Sequence, residues 1–239
     1  MRNISTLTQR ELSVQFYSPI AYVVITVFLI VSGIFFATEN FVPGKESSVR
    51  IVLGSYMPLI LVFVLPMITM RALSEEFRSG TIESLLTAPV NDTEVILGKF
   101  LGAFLFFVVM LATTLIFPII VSLYGPLDKG LAFSTYIGLL LIGSLYIAVG
   151  VFFSACTRNQ VIAVLCSFVF LAIFTFLANY LGSTQEGLVR VVLQHLSIVS
   201  HYHDFARGLL DTNHVVFFIS STVLFLFFGV KVLEFRRWR

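Results

Sequence analysis

Charge is scarce in this sequence. Asp, Glu, Lys and Arg make up 12% of its 239 residues, about half of the ~25% typical of a soluble domain. None of them falls in six apolar windows, 19–37, 51–70, 100–124, 134–155, 160–181 and 214–230. Proton- or ion-coupled carriers, channels with charged filters and intramembrane enzymes need ionisable groups at membrane depth. Their absence disfavours all three. The two cysteines, Cys156 and Cys166, match no zinc or redox spacing and read as buried or interfacial thiols. There is no Gly-x4-Gly-Lys-Ser/Thr run, so no ATP-binding P-loop. Gly-x-Ser-x-Gly and His-Glu-x-x-His are missing too. A net charge of +2 gives no nucleic-acid surface.

What remains is membrane sequence. About 20 apolar residues span a bilayer as a helix, and each window is near that length or longer. The first window begins too late, and ends at Ala37-Thr38-Glu39 without a small-x-small cleavage pattern, so it reads as an uncleaved span. Basic residues set orientation. One side holds Arg2, Arg10, Arg71, Arg78, Lys99, Arg158, Lys231, Arg236, Arg237 and Arg239; the other holds Lys45, Arg50, Lys129, Arg190 and Arg207. Both termini are therefore expected in the cytoplasm, with an interfacial Trp238 in the basic C-terminal cluster. The whole chain, 1–239, reads as one all-α integral membrane domain of six transmembrane helices.

Between the spans the patterns are local. Residues 4–18 read equally as an amphipathic interfacial helix or a disordered tail, because Glu11 and Gln15 interrupt the apolar arc. Pro58, Pro66 and Pro118 mark either packing kinks or hinges. In the fourth span Ser144 and Ala148, then Gly150 and Ser154, form a close-packing face for this chain or for a second copy. From 71 to 78 the second span should continue as helix. Gly80 should stop it, Thr81 and Glu83 should start a second short helix, and Pro89 should end that helix. Asn91 with Glu94 makes a capping-box start for the third long helix. Beyond span five, apolar residues recur at helical spacing over 188–199, and 204–210 forms a second short piece. His195, His201, His203 and Asp204 lie close in sequence but supply too few ligands, at strand-like spacing, for a closed zinc site.

Six spans with both ends inside, and the run Glu75-Glu76-Phe77-Arg78-Ser79-Gly80-Thr81-Ile82-Glu83-Ser84-Leu85-Leu86-Thr87-Ala88-Pro89-Val90 followed by Gly98-Lys99, resemble the type-2 ABC transporter permeases. In that family a Gly-Thr-x-x-x-Leu-Leu-x-x-Pro run preceded by acidic residues forms a coupling helix that docks in a groove of a separate ATPase. The resemblance covers the full length. The stretches 11–23 and 205–211 look most like the branch of gliding-motility and copper-enzyme-maturation permeases. The resemblance implies an N-terminal interfacial helix, a cytoplasmic coupling helix between spans two and three, and short re-entrant helices between spans five and six. It implies contact with the ATPase through Glu75, Glu76, Phe77, Arg78, Gly80, Thr81, Glu83, Leu85, Leu86 and Pro89, with Leu85 and Leu86 as apolar anchors and Glu76, Arg78 and Glu83 at the rim. It also implies a dimer facing through spans one and five, where Ser32, Gly33, Ala163, Ser167 and Ala172 would let backbones approach. The expected partners are two ATP-binding subunits, a second permease subunit, identical or paralogous, and membrane lipid, with no nucleic acid. No cofactor is expected in this chain; ATP and magnesium would sit in the ATPase. The chain is then a non-enzymatic permease of an ATP-driven exporter in the inner membrane. The alternative is an ABC-like scaffold that transmits ATPase motion to a partner without transport.

Overall fold

The computed structural model describes residues 2–40, 49–82, 90–124, 128–184, 190, 193 and 195–237. Among these every regular element is a helix, and six helices are long and apolar enough to cross a membrane. The N-terminal segment is a helix, α1 (Arg2–Tyr17). Ser18 breaks it, and Pro19 opens α2 (Pro19–Asn40), the first span, with the ring at a position that needs no N–H.

The second span is α3 (Val49–Ile51), a π turn (Val52–Tyr56) and α4 (Met57–Thr69), followed by the short α5 (Ser74–Ser79). The third is α6 (Asp92–Thr113) and α7 (Ile116–Tyr124). Span four is α8 (Lys129–Cys156). Span five is α9 (Gln160–Ala172), a second π turn (Ile173–Leu177) and α10 (Ala178–Thr184). A buried short helix, α11 (Ile198–Phe205), precedes span six, α12 (Thr212–Arg237).

Proline explains two irregularities. In the π turn Met57 N–H bonds to Val52 O, and Pro58 has no N–H, so neither serves the Leu53 carbonyl. Tyr202 of α11 donates its hydroxyl to that carbonyl at 2.6 Å from a fully buried position. Pro118 likewise cannot serve Thr114 O. Phe117 N–H and the Tyr136 hydroxyl of span four do so, each at 3.0 Å. A freed carbonyl in hydrocarbon needs such a donor. Tyr202→Phe should therefore lower stability by about 1 kcal/mol, read from unfolding in mild detergent. A variant as stable as the parent would mean that Leu53 finds another donor.

Span four is the hub. It packs against spans two, three, five and six and against α11, and 67% of its apolar window is buried, against 22% for spans one and five. Its small residues serve this chain. Ala148 is fully buried, Ser144 meets Thr222 of span six at 3.3 Å, and a β-carbon on Gly150 would overlap Thr69 of span two. Between spans five and six, the 188–199 expectation falls partly outside the described residues. The expected second piece over 204–210 is not a separate helix. It is the end of α11 and a turn through Gly208 at φ 87°. Of the two settings expected for the cysteines, the buried one is corrected: both are free and exposed.

Candidate functional site

One end of the bundle converges on α5. The expectation that residues 71–78 simply extend span two is corrected. The helix breaks after Thr69 and restarts at Ser74. The break is held from span four: Ser154 Oγ accepts N–H bonds from Leu73 and Ser74, at 3.0 and 3.1 Å, and donates to Met70 O at 3.0 Å. One buried hydroxyl thus satisfies three backbone groups that the broken helix leaves open. The far end of α5 stops at Gly80, whose φ of 75° is left-handed, a conformation open to glycine at no steric cost.

The faces of α5 are sorted. Glu75, Arg78, Gly80 and Thr81 are exposed, while Glu76 and Phe77 are partly buried. Glu76, expected at a docking rim, instead turns inward to Lys99 at 2.8 Å. Lys99 also pairs with Glu11 of α1 at 3.2 Å, and its own side chain is only 7% exposed. Phe77 lies under the Arg236 guanidinium of span six, 4.4 Å from ring centroid to charge. Arg236 also donates to Cys156 O at the end of span four. Glu83, Leu85, Leu86 and Pro89 lie outside the described residues. Val90 leads to Asn91, which together with Glu94 closes the capping box of α6.

Helix α1 is seated by the same ion cluster. Leu7 and Glu11 cover Gly98 and Gly102, where added β-carbons would come within 2.7 Å of theirs. Its inward face runs Ile4, Leu7, Thr8, Glu11, Leu12, Gln15, Phe16, the i, i+3, i+4 spacing of one helix stripe. Three polar residues interrupt that stripe: Glu11 is there because it meets Lys99 rather than lipid, and Thr8 turns its hydroxyl to Ile4 O. Sequence reasoning missed this role of Lys99 and Glu11. The available signal was Gly98 and Gly102, four residues apart on one face.

The candidate dimer residues divide. Ser32, Ala163 and Ser167 are covered by the chain's own helices, and Ser32 and Ser167 turn their hydroxyls to Phe28 O and Ala163 O. They do not face outward. Gly33 and Ala172 are partly exposed, and a β-carbon on Gly33 would meet nothing within 4 Å.

Away from α5, α11 and the start of span six carry a histidine chain. His201 Nε2 lies 3.0 Å from His195 O, so it donates, and burial lowers the His201 pKa, favouring the neutral ring. His201 Nδ1 then accepts from His214 Nδ1 at 2.7 Å, and His214 Nε2 contacts Asp204 Oδ2 at 2.8 Å. All four ring nitrogens of His201 and His214 are thus engaged. His203 stands apart from this chain.

The fold and the six apolar helices define a class: helical, multi-pass membrane proteins. The family is more specific. Residues 4–230 match the profile of the ABC-2 family transporter protein, and the chain belongs to that family. No curated protein matches the chain. Membership makes it the membrane component of an ABC transporter, which works with an ATP-binding partner and is usually not itself catalytic.

Proposed function

We propose that the chain is the permease subunit of an ATP-driven exporter, moved by a separate ATPase that docks at α5 and the residues after it. The observation that carries this reading is the convergence on α5. Through Ser154, Lys99, Glu11 and Arg236 a displacement of one short helix reaches spans two, three, four and six and α1. A pushing partner needs such a lever, because rigid packed elements transmit small shifts with little compliance. Glu75 and Arg78 are exposed there to meet charged groups. The excess of Lys and Arg supports a cytoplasmic location for this end, with both termini in the cytoplasm of a cell with its inner membrane as host. ATP and magnesium are assigned to the partner ATPase, two copies per assembly.

Spans one and five are also proposed to face a second permease subunit. Both are among the least buried spans, and their outward faces carry Val27, Ile30 and Ile34, and Val161, Leu165 and Val169. The contact then uses these branched residues with Gly33 and Ala172, instead of the inward Ser32, Ala163 and Ser167.

Co-purification tests docking. Leu86→Asp should weaken capture of the ATPase by about 2 kcal/mol or more, roughly thirtyfold in affinity, while the permease still runs as a folded species in size-exclusion chromatography. Arg78→Glu, at the rim, should reduce capture less. Full retention by the Leu86 variant would place the docking surface elsewhere.

A further inference from the structure

Between α1 and the adjoining ends of spans one, two and three lies a cavity of about 350 Å³. Its walls divide by chemistry. Ile20, Val24, Met67, Ile68 and Phe106 form an apolar side, of which Ile20 and Met67 are exposed. The other side sets Arg10, Arg71 and Lys99 against Glu11, Glu75 and Glu76, so its charges cancel.

Lys99 is committed to two carboxylates and is more than nine-tenths buried. The unused polar capacity belongs to other side chains of this wall. Gln15 Oε1 and Glu76 Oε2 are buried acceptors that receive no hydrogen bond, and Arg71 Nε is a buried donor without an acceptor. Its ion-pair partner Glu75 stands 3.9 Å away. Buried polar atoms left unpaired are costly and few in native proteins. Here two acceptors and a donor gather around one cavity. The terminal torsions of Glu and Gln are soft, so small rotations present both acceptors to it.

We propose that this cavity holds the head group of a zwitterionic amphiphile, a primary ammonium next to a phosphodiester, with acyl chains along the apolar side. The ammonium has three N–H donors for Gln15 and Glu76. The phosphodiester takes the guanidinium groups of Arg71 and Arg10, which suit phosphate oxygens. A trimethylated ammonium has no N–H to donate. An anionic head without a cation leaves both acceptors unpaired and brings a further negative charge to Glu75 and Glu76. The inference rests on the chain lying in a membrane and not on the exporter reading.

The test uses the full chain in nanodiscs of equal parts phosphatidylethanolamine, phosphatidylcholine and phosphatidylglycerol. After extraction in mild detergent, native mass spectrometry counts the lipid that stays bound. Phosphatidylethanolamine should be retained about tenfold or more over the others, the factor that one hydrogen bond to a charged group supplies. Gln15→Leu leaves the Lys99 cluster intact and should reduce that preference about tenfold. Met67→Trp fills the apolar side and should abolish retention. Retention of the three lipids in their bulk ratio overturns the proposal, as does a preference that survives both substitutions in folded protein. Soluble phosphoethanolamine that displaces the lipid at equal concentration would overturn the assignment to an amphiphile.

Discussion

Lys99→Met should destabilise the chain by about 3–5 kcal/mol, the loss seen when one partner is removed from a buried ion cluster. The side chains of Lys99, Glu11 and Glu76 are 7%, 19% and 21% exposed, so water screens them poorly. Without the ammonium, Glu11 and Glu76 lose the cation that both contact and stand close together in a mostly buried site. The local consequence is release of α1, which is seated on span three by this cluster and by the contacts of Leu7 and Glu11 with Gly98 and Gly102. Hydrogen exchange over 2–17 should therefore rise more than exchange in span four. Adding Glu11→Gln and Glu76→Gln to Lys99→Met should recover most of the stability, because replacing every member of a buried ionic cluster is often nearly neutral. A single variant within about 1 kcal/mol of the parent would mean that solvent reaches the cluster more freely than its burial implies.

The same cluster shows what a sequence of this kind reveals. The six spans were legible because a missing charge is a per-residue signal that needs no partner. Gly80 and the Asn91–Glu94 box were legible for a similar reason, since each acts within one turn of its own backbone. Facing was not legible. In lipid the inside and outside of a bundle are equally apolar, so Ser32, Ala163 and Ser167 could be read as outward although they pack inward. Glu11 and Gln15 made α1 look poorly amphipathic because the lysine that explains Glu11 lies 88 residues away. The turn after Thr69 was unreadable for the same reason: residues 71–78 favour helix, and the hydroxyl that makes a break tolerable belongs to Ser154, 81 residues beyond Leu73. Pro58 and Pro118 mark kinks or hinges in the sequence, but their answering tyrosines, Tyr202 and Tyr136, come from other elements.

Ser154→Ala is the substitution that should separate docking from drive. It leaves Leu73 N–H, Ser74 N–H and Met70 O without their shared partner in a buried turn. Each such group costs about 1–3 kcal/mol when it stays unpaired. Relaxation lets Met70 O keep its contact with the Ser74 hydroxyl, so the expected total is about 2–5 kcal/mol. The exposed face of α5, with Glu75 and Arg78, is untouched. An ATPase that recognises this face should still bind with near-parental affinity, in contrast to the Leu86→Asp variant. What should change is transmission, because α5 can now swing without carrying span four with it. In a reconstituted complex, ATP hydrolysis should continue while transport per ATP falls several-fold. Ser154→Thr keeps the hydroxyl and should restore much of the coupling, although its extra methyl must be accommodated at a fully buried site. Loss of ATPase binding in Ser154→Ala would show that the turn shapes the docking face itself. Unchanged transport per ATP would show that the push travels through Lys99 and Arg236 without need of span four.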